Sequence, residues 1–169
     1  VQRLRELATW PVQICRGSDY LRGLAAADYV FLPQNWFAYP ENYPKVADLI
    51  EKNPHKILNL AGLYLSLTGC PIVAVTGSMG KSTTSKLLQV IFSDLQKKFP
   101  EWFGKVYFGG NDRRSGQYLE HLAEIKPGDV AVLEISNRQL RFQLPVGPQV
   151  GVITNIVPNH LEEHGGWDS

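Results

Sequence analysis

Between Pro71 and Thr84 the chain reads Pro-Ile-Val-Ala-Val-Thr-Gly-Ser-Met-Gly-Lys-Ser-Thr-Thr. That is a buried-type strand, a glycine-rich turn, a lysine and paired hydroxyls in succession. A nucleoside triphosphate needs this order: backbone amides and an ammonium for its oxyanions, then a hydroxyl for the cation it carries. Gly77 and Gly80 allow the positive φ that lets successive amides turn inward. Charge-assisted hydrogen bonds contribute about 1.5–3 kcal/mol each, against roughly 0.3–1 kcal/mol for the dipole of the following helix. The loop amides and Lys81 are therefore expected to dominate binding. The pattern assigns Thr76, Gly77, Ser78, Met79, Gly80, Lys81, Ser82 and Thr83 to ATP, with the Ser82 hydroxyl as a ligand of Mg²⁺. The spacing is a short form of the phosphate loop, because Val75 stands where the general pattern places its first glycine.

Three further groups could do chemistry beside such a loop. Glu134 closes the apolar run Asp129-Val-Ala-Val-Leu-Glu134, where a hard cation seeking oxygen ligands would meet it. A solvated or salt-bridged acid is the alternative. His160, in Thr154-Asn-Ile-Val-Pro-Asn-His160, is a candidate ligand for a second metal ion, with Asn155 and Asn159 bonding a phosphate or orienting the imidazole. A surface histidine is the alternative there. His160 and His164 also have the four-residue spacing of zinc peptidases, but Leu161 stands where that motif needs glutamate. Phe108-Gly-Gly-Asn111 offers glycines for close backbone approach followed by an amide, or else only a tight turn before Asp112-Arg113-Arg114.

The elements that must position these groups alternate. Strands are expected at 12–15, 29–32, 71–76, 105–108, 129–134 and 150–154. Helices are expected at 18–27, 43–51, 58–67, 82–98 and 118–124, with Asn53-Pro54 ending the second. Leu87, Leu88, Ile91, Leu95 and Phe99 recur at helical spacing and should pack that helix on the sheet. Near-continuous apolar strands alternating with helices predict an α/β fold, a parallel sheet covered on both faces, with ligands beyond the carboxyl ends of its strands. A boundary is placed at Gly69, giving units 1–69 and 70–169.

Composition sets the outer limits. The chain has 169 residues, 44% of them hydrophobic, and a net charge of +1. That charge leaves no electrostatic footprint for nucleic acid. The apolar stretch 57–76 is interrupted by Asn59, Ser66, Gly69 and Pro71, so helix, turn and buried strand is preferred to a membrane span. Cys15 and Cys70 fit no zinc or redox spacing and read as reduced, buried thiols of a cytosolic chain, with a disulfide between them as the alternative. The chain opens on Val1 without a signal-peptide pattern and is read as a piece of a longer protein.

Together, Thr76-Gly-Ser-Met-Gly-Lys-Ser-Thr-Thr84, Gly109-Gly-Asn111, Glu134-Ile-Ser-Asn-Arg-Gln-Leu140 and Thr154-Asn-Ile-Val-Pro-Asn-His-Leu-Glu-Glu-His164 resemble, in order and spacing, the Mur ligases, and among them the D-glutamate-adding branch. The resemblance implies a phosphate-loop central domain preceded by part of a Rossmann-like domain that binds a UDP-sugar. It also implies ATP and Mg²⁺ as cofactors, and UDP-N-acetylmuramoyl-L-alanine and D-glutamate as substrates. The implied reaction forms an amide through an acyl phosphate, and the implied location is the cytoplasm, without nucleic acid or membrane partners. By resemblance Lys81, Glu134 and His160 are catalytic, Ser82, Glu134 and His160 hold metal, and Asn111, Ser136 and Gln139 face the UDP-sugar substrate or its metal shell. Asn137 and Arg138 stand where the family has serine and an aromatic, Asn159 where an acid often precedes the histidine, and Leu32-Pro-Gln-Asn35 where a serine-proline-glycine turn is expected. A carbamylated lysine, the adenine site and a third domain would lie outside these 169 residues, so this piece alone is expected to be inactive. A folyl-polyglutamate-type ligase, a small-molecule kinase or a lapsed nucleotide-binding module are the competing expectations.

Overall fold

The structure, a computed structural model, describes residues 9–34, 36, 43–111, 118–140, 144, 146–159 and 161. Its first part is small. Strand β1 (Val30–Phe31) pairs in parallel with β2 (Ile57–Leu58), with helix α1 (Tyr43–Lys52) between them in the chain. Val30, Leu32 and Ile57 are buried there against Leu24, Ala27, Trp36, Leu49 and Ile50. Helix α2 (Leu60–Leu67) follows. Asn59 caps it by accepting the Gly62 N–H at 2.9 Å, which satisfies one of the amides a helix start leaves open.

The second part is a four-stranded, all-parallel sheet in the order β4-β5-β3-β6. Its elements are β3 (Ile72–Thr76), α3 (Lys81–Lys98), β4 (Val106–Gly110), β5 (Val130–Glu134), a single turn α4 (Asn137–Leu140) and β6 (Val150–Ile153). The expected α/β class is thus what the chain adopts. The inner strands are buried along almost their whole length, Ile72 to Val75 in β3 and all five residues of β5. Parallel strands covered on both faces need such unbroken apolar runs. On one face, Ala61, Tyr64 and Leu65 of α2 pack with Ile72, Ala74, Tyr107, Ala131 and Leu133. On the other lies α3, with Ser85 fully buried and the Lys86 ammonium 5.3 Å from the centre of the Phe108 ring.

Several expected elements differ. Over 18–27 there is no α-helix but two 3-10 turns, Gly17–Asp19 and Leu24–Ala26, separated where Gly23 takes φ +83°. Residues 12–15 form no strand; Val12 and Ile14 are exposed, Cys15 is only half-buried, and no strand among the described residues pairs with them. The segment read as a helix from 58 begins with β2, and α2 starts only after the Asn59 cap. The face of α3 also turns. Leu87 and Ile91 are 58% and 44% exposed, as is Phe99 at 41%, while Ser85 is fully buried and Leu88, Phe92 and Leu95 half-buried. The small Ser85 lets the helix backbone approach the sheet, which rotates the larger Leu87 outward. The stretch 57–76 folds as strand, helix and strand, and among the described residues no helix is long and apolar enough to cross a membrane.

Candidate functional site

The loop between β3 and α3 is built on two positive-φ glycines, Gly77 at +133° and Gly80 at +82°. Gly80 is the N-cap of α3, and the Thr84 N–H returns to its carbonyl at 2.9 Å. The N–H groups of Lys81, Ser82 and Thr83 in the first turn then have no acceptor within the helix. Lys81 Nζ folds back over the loop, donating to the carbonyls of Gly77 at 2.7 Å and Ser78 at 3.2 Å. Ser82 and Thr83 are exposed.

Two other amides of the loop are not free, contrary to the expectation of a continuous inward-facing set. Ser78 N–H donates to the Asn155 carbonyl at 3.0 Å, and Met79 N–H to Asn155 Oδ1 at 3.1 Å. Asn155 Nδ2 in turn donates to the Met79 carbonyl at 3.0 Å. The expected contact of Asn155 with a phosphate or imidazole is thus replaced by a two-point hold on the loop itself. The reason is register: β3 and β6 are hydrogen-bonded neighbours, Thr76 opposite Ile153, so both strand exits leave side by side.

Glu134 ends β5 opposite Val75 on one side and Gly110 on the other, so the strand that carries it lies between β3 and β4. It is 3% exposed. Its Oε1 accepts from Asn111 Nδ2 at 3.1 Å, and Asn111 N–H donates to its carbonyl at 2.7 Å. Its Oε2 is buried and has no partner among the described residues. The close approach of β4 requires glycine: Gly110 has φ +97°, and a side chain there would collide with the Glu134 backbone. This is why β4 runs to Gly110, past the expected end at 108.

Asn111 Oδ1 accepts from Gln34 Nε2 at 2.9 Å, and the same Gln34 group donates to Ser136 Oγ at 3.1 Å. Ser136 N–H and Oγ both donate to Gln139 Oε1, at 2.9 and 3.1 Å. The Gln139 carbonyl accepts from Asn59 Nδ2 at 2.7 Å. Ser136 and Gln139 are 6% and 1% exposed, held chiefly by one another. Sequence reasoning missed Gln34 and Asn59 as members of this network. Gln34 sits in Leu32-Pro-Gln-Asn35, already set apart as a departure from the pattern of the resembled family, but nothing local showed what its amide would reach. His160 and His164 lie outside the described residues, as do Arg113 and Arg114.

Mg²⁺ takes few protein ligands and keeps waters and phosphate oxygens for the rest. One buried carboxylate with an unpartnered oxygen, on the strand beside a phosphate-type loop with an exposed serine, fits that demand. Among the described residues no group of three or more His, Cys, Asp or Glu side chains could hold a metal.

An all-parallel sheet, with a Gly-Lys-Ser turn between an inner strand and its crossover helix, defines the class as a phosphate-loop-type α/β domain. The description of the Mur ligase middle domain matches residues 75–169. The chain belongs to the Mur ligase family. It is 32% identical over 163 residues to the UDP-N-acetylmuramoylalanine--D-glutamate ligase of Symbiobacterium thermophilum, which covers 96% of this chain and 33% of that protein. It is 34% identical over 161 residues to the ligase of the same name from Ruminiclostridium cellulolyticum, covering 94% of this chain and 31% of that protein. With that of Caldanaerobacter subterraneus it shares 33% identity over 172 residues, 99% and 34% of the two chains. The chain thus spans about a third of the length of the curated relatives it matches.

Proposed function

We propose that this chain carries the phosphate- and cation-binding part of an ATP-dependent, ADP-forming ligase that joins D-glutamate to UDP-N-acetylmuramoyl-L-alanine in peptidoglycan synthesis. The observation that carries the reading is Glu134: a buried carboxylate with one oxygen unpartnered among the described residues, one strand from the Gly77–Lys81 loop. The names of the relatives support the choice of substrates.

In this reading residues 70–169 form the first part of the ATP-binding domain, and residues 1–69 part of the UDP-sugar-binding domain. The packing of α2 on the sheet joins the two. Residues 76–83 form the loop and first helical turn in which the triphosphate is held. The open amides of the first turn of α3 take its oxyanions, and Lys81 exchanges two backbone carbonyls for phosphate oxygens. Ser82 and Glu134 hold Mg²⁺, and His160 is assigned to a second ion. The cation supplies neutralisation of charge on the phosphate oxygens. Asn111 orients the Glu134 carboxylate, and with Ser136 and Gln139 it lines the side on which the acceptor enters.

A free carboxylate is a poor acylating agent, because its leaving group would be oxide. The acceptor carboxylate attacks the γ-phosphorus, ADP departs, and an acyl phosphate remains. The D-glutamate amine then displaces inorganic phosphate, giving the amide. Lys81 serves this sequence by following the charge that moves onto the bridging oxygen. ATP and a nucleotide sugar as co-substrates put the reaction in the cytoplasm.

The test is phosphate release by the complete protein with Mg²⁺ and ATP. Release that requires both UDP-N-acetylmuramoyl-L-alanine and D-glutamate is expected. Release supported instead by a folate and L-glutamate, or by a single hydroxylated acceptor, would overturn the reading.

A further inference from the structure

The segment leaving β6 grips the loop more extensively than any role assigned to it so far requires. Thr154 N–H donates to the Thr76 carbonyl at 2.9 Å, continuing the sheet by one step. Thr154 Oγ1 lies 2.6 Å from the Met79 carbonyl and 3.2 Å from that of Thr76. It occupies the notch that the missing side chain of Gly77 leaves, where an added Cβ would collide with it. Asn155 pairs both backbone groups of Met79 through its side-chain amide, and its carbonyl takes the Ser78 N–H. Ser78 Oγ then donates to the Val157 carbonyl at 2.9 Å and accepts the Val157 N–H at 3.0 Å.

The geometry points to Thr154 and Asn155 as positioning residues that hold the phosphate loop in its binding shape without touching the nucleotide. This rests on the phosphate-site reading above. Met79 is 61% exposed, so packing does not hold it. Between two positive-φ glycines the backbone has unusual freedom, and an unrestrained loop would lose it on binding. The clamp settles the loop in advance. By using the Ser78 and Met79 amides it also leaves phosphate binding to the amides at the start of α3 and to Lys81. Asn155 is suited to this because an amide side chain offers a donor and an acceptor in one plane, matching the N–H and C=O of a single residue.

The test uses the complete protein and two measurements, amide hydrogen exchange at Met79 without nucleotide, and affinity for ATP with Mg²⁺. Asn155→Ala is expected to speed Met79 exchange by roughly tenfold or more. It is also expected to raise the dissociation constant for ATP by about tenfold, with kcat at saturating ATP largely kept. Thr154→Val, nearly the same shape without the hydroxyl, should give a smaller rise that Thr154→Ser restores, and it keeps the question answerable if Asn155→Ala does not fold. Unchanged exchange and unchanged affinity in Asn155→Ala and Thr154→Val would overturn the clamp. If the unsubstituted protein binds no ATP while Met79 exchange still depends on Asn155, the phosphate-site reading fails and the clamp stands.

Discussion

Asn111 is tied to Glu134 twice, by its backbone N–H to the Glu134 carbonyl at 2.7 Å and by its side-chain amide to Oε1 at 3.1 Å. The first bond extends the β4–β5 ladder beyond Gly110. The pair makes the end of β4 an extension of the carboxylate's own setting. In Asn111→Ala the buried carboxylate loses its side-chain donor, and leaving such a group unsatisfied costs about 1–3 kcal/mol. We expect a lower unfolding midpoint without Mg²⁺ and partial recovery with it, read by thermal unfolding at low and high Mg²⁺.

Lys81→Ala should separate chemistry from folding. Among the described residues the half-buried ammonium bonds to the Gly77 and Ser78 carbonyls, so its loss should cost about 1–3 kcal/mol of stability and leave the fold intact. ATP turnover in the complete protein should vanish. Circular dichroism and phosphate release measure the two halves, and surviving turnover would remove the lysine from the phosphate site.

Gly77→Ala should fail for a different reason. At φ +133° an L side chain is strained, and its Cβ would enter the place Thr154 Oγ1 occupies. Strain of this kind costs of order 1–3 kcal/mol, before the loss of the Thr154 contacts. Chemical denaturation should show a loss of stability beyond that strain figure. A stability equal to the parent's would mean that the loop does not need the notch.

Alkaline pH should weaken the fold through Cys70. Burial above all, then the nearby Asp129 charge, pushes its thiol up to about 11 from an ordinary 9.0. Above pH 9 the unfolded chain gives up that proton while the folded chain keeps it, so stability falls as pH rises from about 9 toward 11. Tyr118, pushed up to about 12 by burial, adds to the decline near the top of the range. Denaturation midpoints across pH 8–11 should fall less steeply in Cys70→Ala than in the parent.

Much of this was legible in the residues. Strands β3 and β5 announce themselves because a strand buried on both faces must be apolar throughout, and the loop because only glycine tolerates its backbone. Of the stripe expected on α3, Leu88 and Leu95 turn toward the sheet while Leu87, Ile91 and Phe99 do not, because Leu87 and Ile91 fit a helical period as well as Leu88 and Phe92 do. What chose between them was the fit of small Ser85 against the sheet, a property of the partner surface. The helix expected over 18–27 failed at Gly23, whose positive φ a propensity count does not foresee. Gln34 and Asn59 stand 77 and 80 residues from the groups they bond, Asn111 and Gln139. No local pattern encodes such a meeting; it arises when α2 and β1 settle beside the sheet.

The backward fold of Lys81 has a consequence for what the loop admits. Its positive charge is already quieted by two main-chain oxygens, so a molecule draws that lysine away only by offering it something better. Adenosine alone brings nothing to trade, and a bare nucleoside should leave the latch shut.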